Sequence, residues 1–70
     1  MKEKIKNKVS EFRIKKDMTQ EELAEEIGVS RQTIIAIEKG NYTPSVLLAL
    51  KLSKCFNISV DKIFDIYYEK

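Results

Sequence analysis

One stretch of twenty residues, 20–39, constrains the fold of this chain more than any other feature. Its apolar residues follow helical spacing in two short runs, which are separated at Gly28. Two short helices joined by so tight a turn cross steeply, at roughly 90–120°. Such a crossing needs a small residue where the backbones approach, which Ala24 provides, and a residue tolerant of positive φ at the turn, which Gly28 provides. Apolar residues stand where the helices must touch, at Leu23, Ile27, Val29, Ile34 and Ile37. The alternative is a generic helical hairpin in a small bundle.

Capping residues mark where these two helices begin and end. Thr19 and Glu22 form a Thr-x-x-Glu capping box before the first of them. Ser30 caps the second, which is predicted over residues 31–39, and Gly40 ends it in the left-handed conformation.

Apolar spacing predicts three more helices outside this stretch. The first holds Ile5, Val9 and Phe12 on one stripe and ends near Lys16. The fourth begins after Ser45 and runs through Phe56, with apolar residues broad enough to be buried on more than one side, and Asn57 is a left-handed stop. Ser59 caps a fifth helix over residues 60–64. The tail 66–68 has strand-forming residue types and could pair with residues 4–6 as a two-stranded ribbon.

The residue types exclude several classes of protein. The 70 residues include no His and one Cys, which rules out a disulfide within the chain, a His/Cys zinc site and catalytic arrangements that need His. Acidic residues form no cluster beyond an exposed Glu run, so we expect neither an enzyme nor a bound metal or other cofactor. The longest apolar run, 46–50, is far shorter than the ~20 residues of a membrane span, and no signal segment opens the chain. We expect a single cytoplasmic domain over residues 1–70, without membrane contact.

Charge is distributed unevenly along the chain. Residues 1–16 carry seven Lys or Arg and two Glu, a local charge of +5, whereas residues 17–29 carry a local charge of −5. This division fits a protein with one side facing nucleic acid and one facing solvent. Lysine-rich termini that are merely solvated would look the same.

The stretch T-Q-E-E-L-A-E-E-I-G-V-S-R-Q-T-I-I-A-I-E-K-G resembles the signature of the phage-repressor/Cro-type helix-turn-helix regulators, also called the xenobiotic-response-element type. The segments N-Y-T-P-S and F-N-I-S-V-D-K-I-F resemble those that follow in small single-domain members. The resemblance covers roughly residues 7–66. It implies an all-α, five-helix, lambda-repressor-like fold whose helix-turn-helix core is 20–39, DNA binding as a homodimer, and transcriptional control. Asp17 and Asn57 stand where members often have Gly, which slightly stresses those helix ends.

In a helix-turn-helix the second helix enters the major groove with its N-terminal end first. Gln32 can form two bonds with an adenine edge, and Arg31 can bind either guanine or a phosphate. The methyl groups of Thr33 and Ala36 can pack on thymine. The residues predicted to contact bases are therefore Arg31, Gln32, Thr33 and Ala36.

Phosphate contacts are expected at the starts of three helices, the second, third and fourth, and around the loop after helix 31–39. Tyr42 could equally be an aromatic residue that packs the loop. The residues predicted to contact phosphates are Gln20, Ser30, Lys39, Asn41, Tyr42, Thr43 and Ser45.

Three further predictions concern residues outside the DNA surface. The resemblance implies that Arg13 and Glu38 form a largely buried ion pair, the alternative being two surface charges that never meet. Cys55 is expected to be a buried, small apolar residue rather than a redox switch. Apolar residues are crowded in the C-terminal third, so a homodimer interface is expected at Ile58, Val60, Ile63 and Tyr67, unless the tail folds back and covers them within one chain.

Together these features predict a sequence-specific regulator of transcription, a repressor, that binds double-stranded DNA at a two-fold symmetric operator. No small-molecule ligand is expected, because residues 46–70 are needed to complete the core. The alternative is a protein-interaction module, an antitoxin or adaptor with the same fold. An apolar outer face on helix 31–39 would favour that alternative, whereas a polar and basic face suits DNA.

Overall fold

Helices and a terminal ribbon make up the computed structural model, which describes residues 2–69. Five helices lie between the two strands of the ribbon in this part of the chain. In chain order the elements are β1 (Lys2–Asn7), α1 (Val9–Lys15), α2 (Gln20–Ile27), α3 (Arg31–Lys39), α4 (Val46–Phe56), α5 (Val60–Ile63) and β2 (Phe64–Glu69). The fold is therefore mostly helical, and the predicted ribbon is present as well.

Side-chain caps explain where the central helices begin. The Thr19 hydroxyl accepts a hydrogen bond from the Glu22 N–H at 3.0 Å, and the Glu22 carboxylate accepts one from the Thr19 N–H at 2.8 Å, which completes the predicted capping box. The hydroxyls of Ser30 and Ser45 each accept a backbone N–H three residues later at 3.2 Å. Ser59 lies at the start of α5 as predicted, but its side chain makes no capping bond.

Residues in the left-handed conformation end α2, α3 and α4, and another lies two residues after the end of α1. Gly28 has φ 76° and Gly40 has φ 81°, as predicted for the turns after α2 and α3. Asp17 and Asn57 have φ 55° and 56°, which Asp and Asn tolerate better than other non-glycine residues. Asp17 and Asn57, which stand where the resemblance places Gly, thus adopt the backbone conformation that Gly favours.

Replacing Gly28 by Val should lower the melting temperature. A Cβ there would meet only the Lys51 Nζ, at 3.9 Å, so the cost comes from the backbone φ rather than from a clash. Holding a non-glycine residue in this conformation costs about 1–3 kcal/mol, and each kcal/mol lowers Tm by about 4–8 °C in a domain of this size. Gly28→Asn is the matched control and should lose less. An unchanged Tm for the Val variant, in thermal melts followed by circular dichroism, would contradict the turn assignment.

The core lies where α2 and α3 cross, and the other helices close around it. It contains every apolar contact residue predicted for the crossing except Val29, which is partly buried and packs against the cluster. The buried set is Val9, Leu23, Ala24, Ile27, Ile34, Ile37, Leu52, Phe56 and Ile63. No helix within residues 2–69 has both the length and the apolar character that crossing a membrane requires.

The start of α1 differs from its prediction. Ile5 does not continue the helical stripe, because the chain is extended up to Asn7 and Ile5 pairs with Ile66 across the antiparallel ribbon. The Asn7 side-chain oxygen accepts the Val9 N–H at 3.1 Å, so the helix begins only after it. The ribbon predicted between residues 4–6 and 66–68 is confirmed, and it extends over both complete strands.

The prediction that α4 is buried on more than one side is wrong. Leu52 and Phe56 are buried, but Val46, Leu47 and Leu50 are 77%, 62% and 52% exposed. The helix packs on α2, α5 and α1. Its apolar content therefore exceeds what this chain alone covers. The last helix also ends one residue early, because Phe64 already belongs to β2.

Candidate nucleic-acid interface

The outer face of α3 carries the residues predicted to contact bases. Ile34 and Ile37 are fully buried and anchor α3 on α2. The first helical turn of α3 therefore faces outward. Arg31 and Gln32 are exposed there, whereas Thr33 and Ala36 are half-buried at the edge of the same face. The start of α3 is thus polar, rigidly backed and accessible.

Two of these side chains have partners within the chain. The Arg31 Nη1 lies 3.9 Å from the Glu21 Oε1, and both side chains are more than half exposed. So exposed a pair is weak, and it leaves Arg31 able to contact either a base or a phosphate. The Thr33 hydroxyl lies 3.1 Å from the Ser30 hydroxyl, which also caps the helix.

The buried end of α3 is fixed by the ion pair that the resemblance implies. The Arg13 Nε donates to the Glu38 Oε2 at 2.7 Å, and the two side chains are only 14% and 9% exposed. A second Arg13 nitrogen, Nη1, donates to the Met18 carbonyl at 2.8 Å. The alternative of two surface charges that never meet is therefore excluded. This one contact network joins α1, the turn before α2, and α3.

Gln20 has a role that no local pattern in the sequence reveals. Its Nε2 donates to the Glu38 Oε1 at 3.0 Å, so the first residue of α2 is tied to the far end of α3. An amide nitrogen carries two hydrogens, and the second is not needed for this bond. The predicted phosphate contact of Gln20 is thus compatible with a side chain held in place. Its partner lies eighteen residues away in the chain, which puts the contact beyond the reach of local signals.

The segment after α3 is exposed along its length. Lys39, Asn41, Tyr42 and Thr43 are all exposed and follow one another around the turn at Gly40. Tyr42 is not buried under the loop, which argues against the loop-packing alternative. Ser45 is also exposed, with its hydroxyl engaged as the cap of α4. Five of the predicted phosphate-contacting residues, 39, 41–43 and 45, therefore form one accessible border after α3, whereas Gln20 and Ser30 lie at the starts of α2 and α3.

A groove of about 580 Å³ separates this border from the terminal ribbon. Lys4 and Lys6 of β1 line it on one side, and Lys39 and Thr43 line it on the other. Lys4 and Lys6 are not among the contact residues predicted from the sequence. Their signal is the alternation of Lys at positions 2, 4 and 6, which has the period of a strand.

The residues predicted for a dimer interface are not on one free surface. Ile63 is 1% exposed and belongs to the core, so its assignment to an interface is corrected. Ile58 and Val60 are half-buried, and Ile58 packs against the core cluster. Tyr67 is exposed on the ribbon. The prediction fails for Ile63 because the short α5 completes the core of the monomer.

Cys55 lies half-buried against the core. Burial raises the pKa of its thiol, an effect only partly opposed by the nearby Lys16 charge. The thiol is therefore protonated at neutral pH, and this supports its interpretation as a small apolar residue.

Comparison with known proteins agrees with this geometry. A family model described as helix-turn-helix matches residues 9–63. The HTH-type transcriptional regulator MJ0272 of Methanocaldococcus jannaschii is 53% identical over 60 residues, a match that covers 86% of this chain and 91% of MJ0272. The cryptic phage CTXphi transcriptional repressor RstR of Vibrio cholerae is 33% identical over 57 residues, covering 81% of this chain and 51% of RstR.

A solved structure supports the same assignment. The restriction-modification controller protein C.AhdI from Aeromonas hydrophila superposes with a TM-score of 0.71 and 30% identity, over 77% of this chain and 82% of that one. The names of these relatives describe regulators rather than enzymes. The chain therefore belongs to the phage-repressor/Cro-type helix-turn-helix transcriptional regulators.

Proposed function

We propose that this chain is a cytoplasmic, sequence-specific repressor that inserts α3 into the major groove of double-stranded DNA as a homodimer. One observation carries the proposal: the first turn of α3 exposes Arg31 and Gln32 while Ile34 and Ile37 fix the helix in the core. This is the arrangement through which a recognition helix presents side chains to base edges. The repressor role is supported by the name of RstR.

Rigid mounting of α3 supports the same function. The Arg13–Glu38–Gln20 contacts hold the C-terminal end of the helix at 2.7–3.0 Å. A base contact depends on the angle at which the helix enters the groove, because hydrogen bonds weaken steeply when they are misaligned. The first turn is therefore presented in one orientation before DNA arrives.

The surface of α4 suits a second copy of this chain. Val46, Leu47 and Leu50 lie on one side of the helix and are each more than half exposed. Contiguous exposed apolar side chains on a small protein commonly mark an interface. This face begins one residue after Ser45, at the border of the proposed DNA surface, so a dimer formed here joins two such surfaces. We therefore place the interface on α4 rather than around Ile58 and Val60.

The rival function is a protein-interaction module, an antitoxin or adaptor. The outer face of α3 distinguishes the two, because a protein partner would need apolar residues there. Its first turn is instead polar and basic. Selection of bound sequences from a random duplex pool tests the proposal. We expect two identical half-sites about 34 Å apart, and failure to enrich any sequence would contradict it.

Replacing Gln32 by Ala should relax sequence preference at one base pair in each half-site. The side chain is exposed at the first turn of α3, and a two-bond base contact contributes about 1–3 kcal/mol of discrimination. Binding constants on the selected site and on its single-base variants measure the effect.

Lys39→Ala is the matched comparison for the other type of contact. It should weaken binding to all sequences alike and lower the salt dependence by about one unit of slope for each phosphate that Lys39 neutralises. If both variants behave identically on selected and random duplexes, the division into base and phosphate contacts is wrong.

A further inference from the structure

The terminal ribbon gathers lysines on one of its faces. Residues directly paired in an antiparallel ribbon point to the same face, and the face alternates along each strand. Lys4 pairs with Tyr67 and Lys6 pairs with Asp65, so both lysines share one face. The complete set on that face is Lys2, Lys4, Lys6, Asp65, Tyr67 and Glu69.

Two of these lysines lie beside the border after α3. The groove between the ribbon and the end of α3 is lined by Lys4 and Lys6, by residues of the opposite ribbon face such as Ile5, and by Lys39 and Thr43. The three lysines and Thr43 are all exposed. Because Lys39 and Thr43 belong to the proposed phosphate-contacting border, the two ribbon lysines extend the positive surface beyond it.

The ribbon is held in position rather than hanging from the domain. The Asn7 Nδ2 donates to the carbonyl of Ile37, inside the recognition helix, at 2.8 Å. The next residue, Lys8, donates its backbone N–H to the carbonyl of Ile63 at 2.8 Å. The lysine face therefore has a fixed place relative to α3, and little ordering is needed when a ligand binds there.

Acidic neighbours do not cancel this positive surface. The Glu69 carboxylate lies 3.5 Å from the Lys4 Nζ, but both side chains are about half exposed, and such pairs contribute little. Asp65 accepts the backbone N–H of Ile66 at 2.9 Å, and Glu38, which also lines the groove, is already paired with Arg13. Glu3 lines the groove as well, but it belongs to the opposite face of the ribbon from the lysines. Phosphates spaced along a duplex have a far higher charge density than single carboxylates and can displace them.

We propose that Lys4 and Lys6, together with Lys39, bind backbone phosphates outside the bases that α3 contacts, so that the terminal ribbon is a second, sequence-independent DNA surface. This inference rests on the proposed function, because the ribbon reaches a duplex only if α3 lies in its groove. The ligand is the phosphate backbone of double-stranded DNA, argued from the charge of the face and its continuity with the Lys39 border.

The test compares two double variants that remove equal charge. Lys4→Gln/Lys6→Gln removes the ribbon charges, and Lys15→Gln/Lys62→Gln removes two exposed lysines from α1 and α5. Binding is measured against salt concentration on a long duplex, on the same duplex trimmed to the selected bases, and on random DNA. Thermal melts establish that both variants remain folded, as expected for exposed side chains.

The ribbon variant should show a salt slope smaller by about 0.9 unit for each phosphate that the two lysines neutralise, which is up to about eightfold in affinity per phosphate at 0.1 M salt. The weakening should be equal on selected and random long duplexes and absent on the trimmed one. The control variant should keep the wild-type slope. Glu69→Gln, which frees Lys4, should bind the long duplex more tightly than wild type.

Several results would overturn the proposal. One is a ribbon variant that behaves like the control, and another is a weakening that persists on the trimmed duplex. A third is a change in sedimentation of the ribbon variant, which would make the ribbon a contact between chains. If Gln32→Ala still relaxes specificity in any of these cases, the ribbon inference fails alone. If wild-type protein binds no duplex, the proposed function fails with it.

Discussion

Replacing Glu38 by Leu lowers the free energy of unfolding by about 3–5 kcal/mol. The Arg13 side chain is only 14% exposed, and the substitution removes its carboxylate partner, while one of its donors still bonds to the Met18 carbonyl. An unpaired charge at such a site is costly because the charged group loses its hydration and gains no partner in exchange. Gln20 also loses the acceptor that it bonds to in the wild type.

A change of this size is large for a short chain. Stability is about 0.05–0.15 kcal/mol per residue in most domains, so the variant approaches the limit of folding. Each kcal/mol corresponds to about 4–8 °C in Tm for a domain of this size, which predicts a fall of at least about 12 °C. Urea titration followed by circular dichroism measures the change in free energy.

The control is the double variant Arg13→Met/Glu38→Leu. It removes both charges and leaves apolar side chains of similar size, an exchange that is often neutral or stabilising for buried pairs. We expect it to recover at least about 2 kcal/mol relative to the single variant, since the unpaired charge is gone. If single and double variants were equally unstable, the cost would come from poorer packing or from the Gln20 and Met18 bonds.

Local signals are sufficient to predict where α2 and α3 begin and end. Thr19, Glu22 and Ser30 form capping bonds with residues three positions away. Gly28 and Gly40 end the helices because each adopts a positive φ. Such features are set by the nearest neighbours in the chain and are therefore visible in the sequence. Both helices around the crossing accordingly begin and end where predicted.

Contacts between distant residues are not predictable in the same way. Ile5 has helical spacing to Val9 and also belongs to an alternating Lys pattern, and only its pairing with Ile66, sixty-one residues later, decides for the strand. The bond between Gln20 and Glu38 likewise needs the fold to bring both ends together. The Arg13–Glu38 pair is expected from the resemblance rather than from any local pattern.

The apolar character of a residue does not show whether the residue is buried within one chain or exposed on its surface. Val46, Leu47 and Leu50 are as apolar as the buried residues of α4, so residue type alone predicts a helix buried on more than one side. Ile63 is expected at an interface for the same reason, although it is buried in the monomer. The structure separates the two cases, because within residues 2–69 Ile63 is buried whereas Val46, Leu47 and Leu50 are exposed. We therefore propose α4 as the interface instead of the set Ile58, Val60, Ile63 and Tyr67.

Leu47→Asp should convert a dimer into a monomer without unfolding it. Leu47 is 62% exposed and lies outside the core cluster, so a carboxylate there remains hydrated in the free chain. In an interface between two copies the two charges would meet across the two-fold axis and lose water, which disfavours association. Ile63→Asp is unsuitable for this purpose, because it would place a charge in the core and unfold the protein.

Dissociation of the dimer should have a large effect on DNA binding. Two linked recognition helices bind a two-half-site duplex with an advantage of about 10²–10⁴ over one, because the second binding event becomes intramolecular. Leu47→Asp should forfeit that factor on the symmetric duplex and keep the wild-type affinity for an isolated half-site, since α3 is unchanged. Ile14→Asp, which alters a residue 61% exposed on α1, should change neither value. Sedimentation at micromolar concentration decides the matter: a dimeric Leu47→Asp variant, or a monomeric wild type bound to the symmetric duplex as two independent chains, would remove α4 as the interface.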